Sequence, residues 1–310
     1  MKHIFIINPA SGKENATERI QAEIAASPHK AHCELHVTTC PDDACRYIRA
    51  YCEEHREPVR FYACGGDGTL HDVVNATAHF PFAATGCYPC GSGNDFVKYY
   101  GGTAPFLNLH ALMEGSEVPI DLIRVGERYA INATHFGFDS SVAQTICDIR
   151  RSPLIGGKNA YPSAIIKALF TARSHVCRVE ADGEVINPGG TLLLCTIANG
   201  QYVGGSYRCA PRSRNDDGML DICLVEPVSL LQFARVFRHY KDGSHLSIPA
   251  FRHFIHFKRA KKVRVTASPG FVYAMDGEPC RAFEFSAEVV PAATRFILPK
   301  GASPIPCLPE

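Results

Sequence analysis

The chain has 310 residues and a formal net charge of +1, with 46% hydrophobic and 20% charged residues. This composition is ordinary for a folded globular protein and excludes a predominantly disordered or globally basic chain. The length suits one large domain or two ordinary ones, and we expect two.

Export and membrane signals are weak in this sequence. No apolar run approaches the roughly 20 residues that a membrane-spanning helix needs. The first apolar run, residues 4–7, is too short for a signal peptide, so we expect a cytoplasmic protein. The 14 cysteines are scattered through apolar segments, which favours free buried thiols. Cys87 and Cys90 form a Cys-x-x-Cys pair, but no second pair exists to complete a zinc site.

The first part of the chain alternates apolar runs with helical patterns. Apolar runs predict strands at residues 4–7, 35–38 and 61–64. Helical spacing predicts helices at residues 16–26 and 42–55. This order predicts a parallel sheet, because parallel strands need crossover connections. Ligands of such sheets bind at the carboxyl ends of the strands.

The pattern changes after about residue 121, where short alternating runs separated by Asp-Gly turns predict antiparallel strands. The predicted strands are residues 178–180, 192–197, 220–225, 263–265 and 283–285. Helices are predicted at residues 162–172 and 228–240. The sequence therefore predicts an α/β protein whose second half is an antiparallel β domain.

Three loops of small residues follow predicted strands, at residues 8–13, 65–69 and 89–96. Glycine lets backbone amides approach phosphate oxygens, and the start of a helix favours negative charge. Asp67 lies inside the second loop, where a carboxylate repels phosphate unless magnesium or a cationic neighbour offsets it. The loops predict a site for a nucleotide triphosphate, although a plain strand-to-helix turn is the alternative for the loop at residues 65–69.

Six motifs occur in order along nearly the whole chain. They are Asn8-Pro-x-Ser-Gly12, Gly65-Gly-Asp-Gly-Thr69, Pro89-x-Gly-Ser-Gly-Asn-Asp95, Asn199-Gly200 with Gly204-Gly205, Asp216-Asp-Gly-Met-Leu-Asp221 and Asp276-Gly-Glu278. Any one of them is weak evidence, but six in register are specific. The chain resembles the diacylglycerol kinase catalytic family, and within it the soluble bacterial lipid kinases of the diacylglycerol or sphingosine kinase type.

The resemblance implies transfer of the γ-phosphate of ATP to a lipid hydroxyl, with Mg²⁺ as cofactor. It implies a nucleotide-binding α/β domain of residues 1–123 plus 293–310, with a parallel sheet. Residues 124–292 would form a C-terminal antiparallel β-sandwich that binds the lipid. The final strand, around residues 295–298, would return to the first domain, and the chemistry would lie in the cleft between the two.

The resemblance also implies the nucleotide site. Its residues would be Asn8, Pro9, Ala10, Ser11, Gly12, Thr38, Gly65, Gly66, Asp67, Gly68, Thr69, Leu70, His71 and Ser92. Asp67, Asp95 and Asp121 match acidic positions that organise the nucleotide and its metal, and Asp67 would share in catalysis. Many relatives carry Asn-Glu where this chain has His71 and Asp72, which makes nucleotide preference less secure than phosphoryl transfer.

The same resemblance assigns a metal site and a general base. Asp217 would bind magnesium, helped by backbone carbonyls near Arg214 and Met219, although an Asp-Gly turn is the alternative. Glu278 matches the general base that removes the proton from the lipid hydroxyl. Asp-Gly-Glu also occurs at residues 182–184, and the residues alone do not choose between the two hairpin turns. The order of motifs in the family chooses Glu278.

Residues 231–264 hold nine Lys or Arg against one acidic residue, with five phenylalanines interleaved. This pattern suits transient contact with an anionic membrane surface, so we expect peripheral membrane association. A solvated helix face with an edge strand is the alternative, and a nucleic-acid patch would look similar. Nucleic acid is not expected as a partner, and the sequence leaves open whether the chain forms a homodimer.

Two other functions fit parts of the pattern. An NAD kinase or a phosphofructokinase would share only the Gly-Gly-Asp-Gly loop at residues 65–68. A non-catalytic nucleotide or lipid sensor of the same fold would have lost Asp67, Asp217 or Glu278, and all three are present. The acceptor lipid itself is not identified by the sequence.

Overall fold

The structure is a computed structural model that describes residues 1–12, 15–138, 140 and 174–309. The predicted helix at residues 162–172 lies outside the described residues. The strands are β1 (Lys2–Ile7), β2 (Cys33–Val37), β3 (Val59–Gly65), β4 (Ala83–Pro89), β5 (Ser116–Val125), β6 (Arg128–Ala130), β7 (Ala133–Gly137), β8 (His175–Ala181), β9 (Glu184–Val185), β10 (Thr191–Leu192), β11 (Leu194–Ala198), β12 (Leu220–Val225), β13 (Ile255–Ala260), β14 (Lys262–Ala267), β15 (Val272–Met275), β16 (Glu278–Arg281) and β17 (Glu284–Leu298). The described α-helices are α1 (Thr17–Ala26), α2 (Asp43–His55), α3 (Asp67–Thr77), α4 (Asp95–Lys98), α5 (Leu109–Met113) and α6 (Leu230–Asp242).

Strands β1 to β4 form the parallel part of an 11-stranded sheet in the order β4-β3-β1-β2. The apolar run of β1 is fully buried from Ile4 to Ile7 because a parallel sheet is covered on both faces. The predicted strands and helices of this part are confirmed, with ends shifted by one or two residues. All four strands end at the same edge, and the three small-residue loops follow β1, β3 and β4 there.

A second sheet of six strands has the order β13-β12-β11-β7-β15-β16, and every neighbouring pair is antiparallel. One face packs against antiparallel strands of the first sheet, for example where Phe136 and Ile197 share a core with Val179 and Val263. The other face carries a separate apolar cluster with α6. The predicted fold class, an α/β protein with an antiparallel β-sandwich, is confirmed.

The last strand, β17, runs through both parts of the large sheet. Arg295 and Phe296 pair in parallel with β4, while residues 284–288 pair with β14. The strand also pairs with β5 along its length, with a register shift between Val290 and Thr294. The segment around residues 295–298 therefore lies beside β4, and the predicted domain boundaries stay a prediction.

Helix α6 lies against the apolar cluster on the outer face of the six-stranded sheet. Ser229 and Gln232 form a capping box at its start, and Gly243, with φ +85°, follows its last residue. Its inner side follows the i, i+3, i+4, i+7 spacing of an amphipathic helix. These inner residues are Phe233, Val236, Phe237 and Tyr240.

The predicted basic surface of residues 231–264 is smaller than the sequence indicated. Several of its cations pair with carboxylates of neighbouring strands, namely Lys258 with Glu184, Arg259 with Asp217, Lys262 with Glu288, and Arg264 with Glu284. Across the described ranges, Arg235, Arg238, Lys241 and Arg252 have no ion pair and are exposed. The five interleaved phenylalanines are buried or half-buried, so they do not form an exposed aromatic surface. Leu230 and Leu231, at the start of α6, are exposed instead.

Candidate active site

The three small-residue loops meet at the carboxyl edge of the parallel strands. A methyl group on Gly91 would lie 2.4 Å from the Cα of Gly66, and one on Gly12 would lie 2.1 Å from the carbonyl oxygen of Cys90. No real Cβ fits at such distances, so glycine is required at Gly12 and Gly91 for the loops to touch. The edge thus presents backbone from three loops side by side.

Hydrogen bonds hold these loops in register. Asn8 donates from Nδ2 to the Thr69 hydroxyl at 3.2 Å, which ties the first loop to the second. The Cys90 amide donates to the Gly65 carbonyl at 2.8 Å, which ties the second loop to the third. The Asp95 amide, at the start of α4, donates to Oδ1 of Asp67 at 2.7 Å. The start of α3 is therefore a preorganised polar surface.

Two carboxylates, Asp67 and Asp95, lie close together between the loops. Burial, and then the negative charge of Asp95, raises the pKa of Asp67 to about 6. Asp95 accepts hydrogen bonds from Lys98 Nζ at 2.6 Å and from the Gly205 amide at 3.0 and 3.1 Å. Lys98 also donates to the Gly205 carbonyl at 2.6 Å. Asp95 therefore links the three loops to the Gly204-Gly205 motif. Asp67 has fewer hydrogen-bond and charged partners than Asp95, so its negative charge is less well offset.

A cavity of about 1470 Å³ opens from these loops and continues across the six-stranded sheet. We call the part beside the three loops the polar arm and the part under α6 the apolar arm. The apolar arm is lined, among the described residues, by Phe138, Leu193, Leu194, Val203, Tyr207, Val225, Phe233, Val236, Phe237 and Tyr240. One continuous space thus joins backbone amides and carboxylates to a surface of aliphatic and aromatic side chains.

Most of the predicted site residues line this cavity. They are Asn8, Pro9, Ala10, Ser11, Gly12, Thr38, Gly66, Asp67, Gly68, Thr69, Leu70, Ser92, Asp95 and Glu278. The others do not line it: they are Gly65, His71, Asp121, Arg214, Asp217 and Met219. Residue roles remain predictions in both groups.

The two candidate general bases lie in different places. Glu278 begins β16 and reaches over the second loop, since a methyl group on Gly68 would lie 3.3 Å from its Oε1. It lines the cavity, is exposed and has no ion pair to any described residue. Glu184 begins β9, does not line the cavity and pairs with Lys258. Only Glu278 faces the glycine-rich loop.

His71 holds the turn that carries Glu278. Its Nδ1 lies 2.9 Å from Oδ2 of Asp276, and Arg128 Nη2 lies 2.8 Å from its Nε2. Because Arg128 only donates, Nε2 must accept, and the proton on Nδ1 is donated to Asp276. Asp276 also accepts from the backbone amides of residues 131, 132 and 133 at 2.9–3.0 Å. Sequence reasoning missed this clamp because Arg128 and Asp276 meet His71 only in the folded chain.

The predicted metal residues lie outside the cavity, around the turn that precedes β12. Asp121 accepts from the amides of Gly218 at 2.7 Å and Ala292 at 2.8 Å. Asp217 accepts from the Met219 amide at 3.1 Å and pairs with Arg259. Asp121 is therefore fixed beside the turn that holds Asp217.

A buried carboxylate next to this turn tests whether a cation fits there. Asp221 is fully buried, and neither of its oxygens has a hydrogen-bond partner among the described residues, although Arg259 Nε forms an ion pair with its Oδ1 at 3.7 Å. Burial raises the pKa of Asp221 to about 7. Asp121, Asp217, Asp221 and the carbonyls of the turn offer only oxygen atoms, the kind of ligand that Mg²⁺ prefers, but among the described residues these three carboxylates do not all bring an oxygen within 4.8 Å of one another. The chemistry of these oxygen donors suits a hard cation, while the Arg259 guanidinium pairs with both Asp217 and Asp221.

Within the part of the chain that the structure describes, no helix is both long and apolar enough to span a membrane.

Comparison with known proteins matches two family models. Residues 2–125 match the diacylglycerol kinase catalytic domain, and residues 132–298 match the YegS C-terminal NAD kinase beta sandwich-like domain. The diacylglycerol kinase of Bacillus subtilis strain 168 is 30% identical over 279 residues, which cover 88% of each chain. A protein of Pseudomonas putida named "Probable lipid kinase YegS-like" is 31% identical over 247 residues, or 77% of each chain.

A crystal structure of a diacylglycerol kinase from Bacillus anthracis strain Sterne shares the fold, with a TM-score of 0.73. It covers 96% of this chain and 97% of its own at 20% identity, so that likeness concerns the fold alone. The matches to the two family models and to these relatives define a phosphotransferase, a lipid kinase. The chain belongs to the diacylglycerol kinase family.

Proposed function

We propose that the protein transfers the γ-phosphate of ATP to a hydroxyl group of a lipid such as diacylglycerol, in a magnesium-dependent reaction. The observation that carries the proposal is the single cavity that joins the glycine-rich loops and Glu278 to the apolar arm. The glycine-rich loops suit a triphosphate, and the apolar arm suits an acyl chain. Residues 1–123 plus 293–310 would supply the nucleotide end, and residues 124–292 the lipid end.

The nucleotide end uses backbone more than side chains. Helix α3 has 11 residues and begins at Asp67, so its free amides and positive dipole end favour phosphate oxygens. Asn8 and Thr69 are held together by their hydrogen bond, and Ser11 and Ser92 add hydroxyl groups to the same wall. Asp67 is buried beside Asp95, so its negative charge is unfavourable there, and bound magnesium or a proton would offset it.

The chemical step follows from where Glu278 lies. Its carboxylate removes the proton of the lipid hydroxyl as the hydroxyl oxygen attacks the γ-phosphorus. The bond from that phosphorus to the β,γ-bridging oxygen breaks, and ADP leaves with the bridging electrons. A general base within reach of the acceptor contributes about 10²–10⁴-fold to such a reaction. Asp67, across the same wall, would shape the charge at the transferred group.

Asp217, Asp121 and the carbonyls of Arg214 and Met219 would hold Mg²⁺ at the turn before β12. The ion, when bound, would supply a fixed positive charge that offsets the buried carboxylates there. Titration of Asp217→Ala with MgCl₂ tests this assignment: lowered activity that added magnesium partly restores is expected. Magnesium dependence equal to that of the wild type would contradict it.

Peripheral membrane contact is proposed through the outer side of α6. Exposed Leu230 and Leu231 could insert at the bilayer surface, and Arg235, Arg238 and Lys241 would face anionic headgroups, each contributing about 1 kcal/mol. Co-sedimentation with anionic vesicles, but not with neutral ones, is expected. Arg235→Glu combined with Arg238→Glu should abolish it, whereas Lys262→Glu, which alters a cation already paired with Glu288, should not.

A direct assay separates the lipid kinase from its rival, an NAD kinase. NAD kinases share the type of β-sandwich named in the second domain match. A polar dinucleotide, however, would not fill the apolar arm. Incubation with γ-labelled ATP and a total lipid extract should give a labelled lipid, and incubation with NAD should give no labelled product. Label on NAD alone would overturn the proposal.

A further inference from the structure

Two histidines and a glutamate form a cluster near the amino-terminal edge of the parallel strands, opposite the three loops. His110 lies in α5 and Glu114 directly follows that helix, so their spacing of four residues places both side chains on one face. His29 comes from the turn after α1 and faces them. Within the described ranges, this is the one group of three His, Cys, Asp or Glu residues whose ligand atoms all lie within 4.8 Å of one another. None of the three lines the cavity.

The distances within this cluster are close to those around a bound metal ion. Nε2 of His29 lies 3.8 Å from Oε1 of Glu114, and Nε2 of His110 lies 3.6 Å from the same oxygen. Zinc binds imidazole nitrogen and carboxylate oxygen at about 2.0–2.2 Å in a tetrahedron, which sets its ligand atoms about 3.4 Å apart. Small side-chain shifts would therefore bring each histidine to the separation from Glu114 that a shared zinc ion requires.

The three side chains have no stronger partners among the described residues. Neither imidazole ring forms a hydrogen bond there, and the Glu114 carboxylate pairs only with the two histidines. The rings of His29 and His110 stack, with centroids 5.8 Å apart and an angle of 28° between their planes. If both rings were protonated, their positive charges would repel each other. A divalent cation instead binds both rings in the neutral form together with the carboxylate.

The backbone on both sides of the cluster is already fixed. The His29 carbonyl accepts a hydrogen bond from the His32 amide at 2.8 Å, and the Asn108 side chain caps the start of α5. Cys33 and Met113 join the two segments, with their sulfur atoms 3.6 Å apart. A metal ion would therefore have to order side chains only, which lowers the entropic cost of binding.

We propose that His29, His110 and Glu114 bind a divalent transition-metal ion such as Zn²⁺, with water in the fourth position. Imidazole suits Zn²⁺, whereas Mg²⁺ prefers oxygen ligands in a near-octahedral arrangement. The site is therefore separate, in position and in chemistry, from any magnesium of the kinase reaction, and it does not depend on the proposed function. A bound ion would link the turn after α1 to α5 and stabilise the folded state.

Zinc binding to the full-length protein tests the inference, measured by competition with a chromophoric chelator in the presence of a thiol-free reductant. The wild type should bind one equivalent of Zn²⁺ that millimolar MgCl₂ does not displace. His110→Ala and Glu114→Gln should each weaken this binding at least about tenfold, since even the loss of a residue that only orients a metal ligand typically costs 10- to 100-fold. Both side chains are exposed, so the variants should fold normally.

Two controls separate this cluster from other zinc ligands. His256 also pairs with a glutamate, Glu226, at 2.9 Å but belongs to no such cluster among the described residues, so His256→Ala should keep the wild-type affinity. Co²⁺ in place of Zn²⁺ distinguishes the cysteines, because thiolates, unlike imidazole and carboxylate, give an intense charge-transfer band in the near ultraviolet. Absence of zinc binding, an unchanged affinity in either cluster variant, or a thiolate band that accounts for all the bound Co²⁺ would overturn the inference.

Discussion

Two hairpins of the molecule carry the same tripeptide, Asp-Gly-Glu, on nearly the same backbone. The aspartates both have φ +49°, and the glycines that follow have φ +86° and +90°. The first hairpin, residues 182–184, joins β8 to β9 at an exposed position that does not line the cavity. The second, residues 276–278, joins β15 to β16 at the cleft.

The surroundings of the two turns differ. Asp182 accepts hydrogen bonds from the amides of Lys261 and Lys262 at 2.9–3.2 Å on an exposed surface. The Asp276 side chain is only 2% exposed and accepts three amides as well as His71. Local sequence therefore sets the shape of each turn, and the neighbours contributed by the rest of the fold decide which glutamate can do chemistry.

Neutralising each glutamate in turn should give the largest difference between the two hairpins. Glu278→Gln should lower kcat about 10²–10⁴-fold, because the amide cannot accept the hydroxyl proton. Its affinity for ATP, measured by isothermal titration, should stay near the wild-type value. Glu184→Gln, in the same tripeptide, should change kcat by less than about twofold, since an exposed ion pair contributes little. Equal activity of both variants would refute the assignment.

The aspartates should differ in stability. Asp276→Ala leaves three amides and His71 without their acceptor, and we expect the free energy of unfolding to fall by about 2–4 kcal/mol. Asp182→Ala exposes two amides to water and should cost about 1 kcal/mol. Urea unfolding curves measure both values. Equal losses would mean that burial does not distinguish the turns.

Activity and stability should both depend on pH through Asp67, which lies in the loop that faces Glu278. The pKa of Asp67 is raised to about 6, so the carboxyl is protonated below that pH. If the ionised form is needed, kcat/KM should fall about tenfold per pH unit below pH 6. The folded state binds the proton more tightly than the unfolded chain does, so the Asp67 contribution to stability should decline as pH rises from about 4 through 6. Asp67→Asn should remove that decline, which thermal unfolding across pH would show.

The smallest expected effect concerns the clamp behind Asp276. His71→Ala should lower kcat roughly three- to tenfold by loosening the turn, with KM for ATP unchanged. His71→Asn should largely retain activity, because its side-chain amide can still donate to Asp276. Equal losses in the Ala and Asn variants would show that the hydrogen bond to Asp276 is not what matters. As a control, Lys258→Ala, which removes the partner of Glu184, should have no effect on kcat.

The sequence predicted the polar arm better than the apolar arm. Close contact between the loops requires glycine at Gly12 and Gly91. Such positions can be recognised in a sequence by residue type and spacing. The apolar arm draws interchangeable side chains from several strands and one helix, and no short motif marks it. His135 is a lone histidine in an apolar strand, and the sequence alone does not show that it lines the cavity. Phe233 and Phe237 lie on the inner side of α6, four residues apart, as the spacing of an amphipathic helix places them.

Strand β17 gives the enzyme an architectural property that its two family matches do not suggest. One uninterrupted strand supplies hydrogen-bond partners to β4 at one end and to β14 at the other. Removing it would expose edges in both parts of the large sheet at once. The two regions should therefore behave as one cooperative unit, and neither should be obtainable as a separately expressed, autonomous fragment.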